Sequence, residues 1–193
     1  MEQIRQVMKQ MISISETELD NFLAFAKVKV FKKQETLNKP QVVTNEIYFI
    51  NKGILRTIII DTNGEEHTIH FALENQFVSD YTSFLIQTPS ISSLQALEDT
   101  EVIVMPREGV EWGYKNLRDG QKLGRLIAEF YFVYQDNRII NKYSRTPKER
   151  YDAITSVFLN IHNRVPQYMI ASYLGISPIH LSRLKKAEIK PRI

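Results

Sequence analysis

The chain has 193 residues, 43% of them hydrophobic and 24% charged, with seven Gly and seven Pro; this supplies a core for one or two compact domains and excludes a collagen-like, low-complexity or disordered chain. It has no cysteine, which excludes disulfides, thiolate zinc sites, iron–sulfur clusters and cysteine nucleophiles, and fits a reducing compartment. The net charge of +3 averages two unlike parts: residues 1–136 carry 14 Lys and Arg against 19 Asp and Glu, a net −5, and residues 137–193 carry 11 against 3, a net +8.

Met1 is followed by Glu2, Gln3 and Arg5, with no apolar signal region and no run of about 18 apolar residues, so a cytoplasmic protein without a membrane partner is expected. The basic block points to a module that meets a polyanion, with a merely solvated basic face as the alternative.

Residues 4–26 are expected to be helical, with Thr17 or Ser15 as the start of a segment carrying Leu19, Phe22, Leu23 and Ala26. From Lys27 to Met105 the chain reads as short strands. Lys27 to Lys32 alternates, Glu46 to Ile50 leads into Asn51-Lys52-Gly53, and Ile54 to Ile60 is rich in β-branched residues. Asn63-Gly64 marks a hairpin whose favoured turn takes positive φ at both central residues, and Glu65 to Leu73 is the returning strand. Further runs at Leu94 to Leu97 and Val102 to Met105 complete an antiparallel, jelly-roll-like body.

After Trp112 the period changes. Leu123, Ile127, Phe130, Tyr134 and Asn137 are spaced 4, 3, 4 and 3, while Leu126, Val133 and Ile140 recur every seven. This gives a helix of about 25 residues, roughly 38 Å long, with two apolar edges. One edge packs on the β body; the other asks for a partner in a two-stranded coiled coil across a dimer axis, or else the helix is an intramolecular core element. Lys142 to Arg145 is a short polar hinge, after which Thr146-Pro147-Lys148-Glu149 restarts a helix with a Thr cap, Pro at its first position and Glu three residues on. Tyr151, Ile154, Val157 and Phe158 form its apolar face.

Gln167 to Leu184 reads as helix, tight turn, helix. Ala171 is small enough for a close helix crossing, Gly175 takes positive φ at the turn, Ser177 caps the second helix and Pro178 sits at its first position. Leu181 and Leu184 face inward with Ile170, Leu174 and Ile176, leaving Ile179, His180, Ser182, Arg183 and Lys186 outward. Such a pair, with a basic outer face, suits insertion of the second helix into a DNA major groove.

Ala171, Gly175, Ser177, Leu181, Ser182 and Arg183 within this stretch resemble the helix-turn-helix of Crp/Fnr-type transcription regulators. Asn51-Lys52-Gly53-Ile54-Leu55-Arg56 resembles the strand-Gly-strand element of that family's cyclic-nucleotide-binding β-roll, and the long helix sits where its dimerisation helix lies. The resemblance covers nearly the whole chain. It implies an α+β protein in three parts: a sensor β-roll flanked by helices at 1–112, a dimerisation helix at 113–143, and an all-α helix-turn-helix domain at 144–193. It also implies a homodimer on double-stranded, pseudo-palindromic DNA, with a small effector and RNA polymerase as further partners.

Two departures from the family pattern stand out. Members that bind cyclic AMP use a Gly-Glu pair and a downstream Arg-Ser or Arg-Thr, where this chain has Phe77-Val78-Ser79-Asp80 and Pro89-Ser90-Ile91-Ser92. Asp80 takes the place of the Glu, no Arg lies between Arg56 and Arg107, and the candidate pocket reduces to Asp80, Ser83, Ser90 and Ser92. No tight cyclic AMP site is expected. At the other end, Ala187 to Ile193 is too short for the family's β-hairpin wing, and the three usual base-reading positions hold Pro178, Ile179 and Arg183. Arg183 suits guanine, whereas Ile179 offers only an apolar contact to a thymine methyl. Gln167, Lys185, Lys186 and Lys190 read as phosphate-positioning groups.

A cupin-like enzyme is the weaker alternative, and a signalling adaptor that does not bind DNA is another. His67 and His70, three apart on a strand, face opposite sides and do not share a metal. Asp80 and Glu74 read as separate surface carboxylates, so neither a catalytic centre nor a metal or other cofactor is expected.

Overall fold

The computed structural model describes residues 1–189, and at positions 155 and 187–189 the backbone alone. The roles expected of Lys190 and of the tail to Ile193 lie outside the described residues. Two helices, α1 (Glu2–Met11) and α2 (Glu16–Leu23), lead into strands β1 (Lys27–Phe31), β2 (Thr36–Asn38), β3 (Glu46–Lys52), β4 (Leu55–Ile60), β5 (Glu66–Ala72) and β6 (Phe77–Val78). A short helix α3 (Tyr81–Ile86) precedes β7 (Ser92–Ala96) and β8 (Thr100–Pro106). The rest is helical: α4 (Arg107–Asn116), α5 (Gly120–Ser144), α6 (Pro147–Val157), α7 (Ile161–Arg164), α8 (Gln167–Leu174) and α9 (Pro178–Ile189).

The strands form two four-stranded sheets, ordered β1-β8-β3-β6 and β2-β7-β4-β5. In the first sheet β8 pairs antiparallel with both β1 and β3, setting Tyr48 opposite Val104 and Ile50 opposite Val102. Period-two alternation between two covered faces then explains why residues 47–50 of β3 and 102–105 of β8 are apolar without a break. Tyr48, Ile50, Val102 and Val104 join Leu55, Ala72, Val78, Leu94 and Ala96 in one core. Their neighbours Phe49, Ile103 and Met105 pack instead with Ile4, Met8 and Ile12 and with Leu19, Phe22 and Leu23 of α2. The expected antiparallel β body with flanking helices is the fold observed.

The expected N-terminal helix divides in two. Ser15, not Thr17, starts the second part, through a reciprocal capping box with Glu18. The Glu18 carboxylate also accepts the Arg118 backbone N–H, and these bonds hold its pKa down at about 2. The β4–β5 hairpin differs from the expected two-residue turn. Gly64 alone takes positive φ there (83°), and the Asp61 carboxylate accepts from both Asn63 and Glu65 backbone N–H groups at 2.8 and 3.0 Å. The loop is therefore the three-residue Thr62-Asn63-Gly64, in which one glycine suffices.

Gly53 turns the chain from β3 to β4 at φ 106°, where a Cβ would lie 2.8 Å from the Thr100 backbone. Its N–H donates to Glu74 Oε1 at 2.9 Å. Gly53→Ala therefore combines backbone strain with overpacking and is expected to lower stability by about 2–4 kcal/mol, read by denaturant melts.

The chain forms two compact units, Met1–Thr57 with Phe71–Phe132, and Ile58–His70 with the chain from Val133 on. The long helix α5 has 25 residues and begins at Gly120. Residues 113–116 belong to α4, which closes at Leu117, where the backbone N–H bonds Gly113 O at 3.1 Å. Among the described residues no helix is long and apolar enough to cross a membrane.

Candidate functional site

The helix-turn-helix is built from local chemistry. α8 ends at Gly175 with φ 68°, and the Ile176 N–H returns to Ala171 O at 3.0 Å, the six-to-one bond that closes a helix on a left-handed residue. Ser177 Oγ then accepts the His180 N–H at 3.2 Å and starts α9, with Pro178 at its first position, where no N–H is needed. Met169, Ile170, Ala171, Leu174 and Leu181 are buried, together with Tyr151, Ile154, Phe158, Ile161 and Val165. This core fixes which face of α9 looks outward. Ser177, Pro178, Ile179, His180, Ser182, Arg183 and Lys186 are exposed, Leu184 and Lys185 are half-buried, and so is Gln167, whose amide oxygen is buried without a partner.

Sequence reasoning missed a basic cleft in the same unit. Arg138, Lys142, Arg145 and Arg150, with Tyr173 and Ser172, line a space of about 480 Å³, and among the described residues no carboxylate lines it. The Arg150 guanidinium donates to the carbonyls of Lys142 and Arg145 at 2.9 and 3.1 Å, satisfying the end of α5, while its Nε is buried without a partner. Arg138 lies 5.2 Å over the Tyr173 ring, and Tyr173 shares a 2.9 Å hydroxyl bond with Tyr134. The Thr68 N–H donates to Ser172 Oγ at 2.9 Å. The residues involved lie up to 104 positions apart in the chain, too far for any local pattern to reveal.

α5 sorts the predicted dimer residues by exposure. Leu123 is buried, and Leu126 and Ile127 pack partly into the helix-flanked core, whereas Tyr134 sits 4.8 Å from the His70 ring. Phe130, Val133 and Ile140 remain 59, 55 and 50% exposed. The open seam is therefore Phe130, Val133, Asn137 and Ile140, spaced 3, 4 and 3, with the half-buried Leu126 four residues before it.

The four predicted pocket residues come together, but they are bonded to one another. Asp80 caps α3, accepting the Ser83 N–H at 3.0 Å on Oδ1, while Oδ2 accepts the Ser90 hydroxyl and, at 2.9 Å, that of Ser92. Ser83 Oγ donates to Thr88 O and accepts the Thr44 N–H. The arginines nearest in sequence point to other work. Arg107 bonds the Phe84 carbonyl and Glu111, and Arg56 is buried with its Nε on Gln95 Oε1.

Glu74 is committed to Gly53 N rather than to Asp80, and His67 Nε2 meets Asp61 Oδ2 at 2.9 Å in the hairpin. Burial, helped by the charge of Arg138, lowers the His70 pKa to about 3, so the ring is neutral at physiological pH.

Residues 28–116 match the family model described as Cyclic nucleotide-binding domain. No curated protein matches the chain. Among solved structures it is similar to FixK2 from Bradyrhizobium japonicum, with 17% identity, a TM-score of 0.70, and 84% of this chain and 83% of that chain covered. It is similar to the c-di-GMP responsive global regulator CLP of Xanthomonas campestris, with 13% identity, a TM-score of 0.68 and coverage of 90% and 91%. It is also similar to a protein of Eubacterium rectale described as a transcriptional regulator of the crp/fnr family, with 16% identity, a TM-score of 0.69 and coverage of 90% and 83%. Residues 28–116 are thus similar to a cyclic nucleotide-binding domain, and the fold of the chain is the one seen in Crp/Fnr-family transcription regulators.

Proposed function

We propose that the chain is a sequence-specific transcription regulator that binds pseudo-palindromic double-stranded DNA as a homodimer. The observation that carries this reading is the outward face of α9, where Arg183 and Lys186 stand exposed on a capped helix within a region of net charge +8. The open seam of α5 supplies a second copy's contact, and two recognition helices held about one DNA turn apart, roughly 34 to 36 Å, match inverted half-sites. The reading places the protein in the cytoplasm, with RNA polymerase as a partner, and gives it no catalytic activity. It is tested by titrating the full chain against its selected duplex and against random duplex over a range of salt. A selective duplex with a steep salt slope is expected, and equal affinity for both would contradict sequence reading.

The β-roll in this reading does not grip cyclic AMP. No Arg lies between Arg56 and Arg107 to meet the phosphate, and the hydroxyls of Ser90 and Ser92 are bonded to Asp80. A missing charge-assisted phosphate contact weakens binding by about 10- to 150-fold. Calorimetry with cyclic AMP is expected to show no micromolar affinity; a micromolar isotherm would overturn the expectation. An effector of other chemistry acts only through different affinities for two dimer arrangements.

A further inference from the structure

We infer that Ile179 reads a thymine through its C5-methyl group, and that with Arg183 it defines each half-site as a thymine and a guanine about two base pairs apart. This rests on the DNA-reading function proposed above. Ile179 lies in the first turn of α9 and is 67% exposed, while the opposite side of the helix is anchored by buried Leu181. The other exposed side chains of these turns are Pro178, His180, Ser182, Arg183 and Lys186. None is a carboxylate, so this face has no acceptor of the kind that takes the cytosine amino group, and Pro178 has no donor.

An isoleucine held in water gains by covering apolar surface, and the edges in the major groove offer one apolar group, the thymine methyl. Arg183 stands four residues on, along the same face. Its fork fits O6 and N7 of guanine. Four residues advance about 6 Å along a helix, close to two base-pair steps of about 3.4 Å. The cations beside Ile179 bring that face to a polyanion and so favour DNA over an apolar protein surface as its occupant.

The test uses the full chain and its selected duplex, with each thymine replaced in turn by deoxyuridine, which removes the methyl and keeps every hydrogen-bonding edge. Wild-type affinity is expected to fall about fourfold for each half-site at one symmetric thymine position. Ile179→Ala should bind the thymine and uracil duplexes equally, and Arg183→Ala should keep the thymine preference. Indifference of the wild type at every thymine, with operator still separated from random DNA, overturns the inference and leaves the DNA-reading function standing. So does a thymine preference that survives in Ile179→Ala. If no duplex is selected at all, the DNA-reading function itself fails and the inference falls with it. Because Ile179 is exposed, an unchanged melting temperature is expected for the alanine variant, and it verifies that the comparison is between folded proteins.

Discussion

Placing a glutamate at Val133 or Ile140 is expected to turn the proposed homodimer into a monomer and to lower operator affinity by about 10²- to 10⁴-fold. Both side chains are half-exposed on the single chain, so the substitution removes nothing from its core. Across a two-fold axis each new carboxylate would face the apolar seam of its mate, and burying an unpaired charge there is more costly than separating the chains. The affinity falls because the second half-site loses the effective concentration that a linked partner gives it. Sedimentation, with operator titration of the same sample, reads both effects. A dimer that survives Val133→Glu and Ile140→Glu together would show that the open edge of α5 is not the interface.

Arg183→Ala is expected to cost about 1–3 kcal/mol per half-site on the selected operator and to relax the preference at one base position, leaving random DNA nearly unaffected. The exposed guanidinium is four residues beyond Ile179 and has no role in the core formed around Leu181. Lys186→Ala should behave differently, weakening all sequences alike and reducing the salt slope by about one, because a phosphate contact carries no base information. Equal losses for both variants on operator and random DNA would remove Arg183 from base reading.

The elements legible in the sequence are those whose pattern repeats several times. The apolar runs of β3 and β8 and the 4-3 spacing of α5 fall in this group, as do the Thr146 and Ser177 starts of α6 and α9. Strand β6 with two residues, β2 with three and α3 with six are too short to show a period. At α5 both apolar edges were visible, yet Phe130 stands with Val133 and Ile140 on the open side, because exposure depends on what packs against the other edge. The same limit applies at the candidate pocket. Asp80, Ser83, Ser90 and Ser92 were identifiable one by one, whereas their mutual hydrogen bonds required the fold. The basic cleft was hidden altogether, since the hairpin, the end of α5 and α8 contribute to it from distant parts of the chain.

Selection of the full chain against randomised duplex DNA tests the central claim most directly. Enrichment is expected of an inverted repeat whose half-sites lie about one helical turn apart, each containing a thymine and a guanine. Enrichment of no sequence, or of a single half-site without its inverted mate, would contradict it.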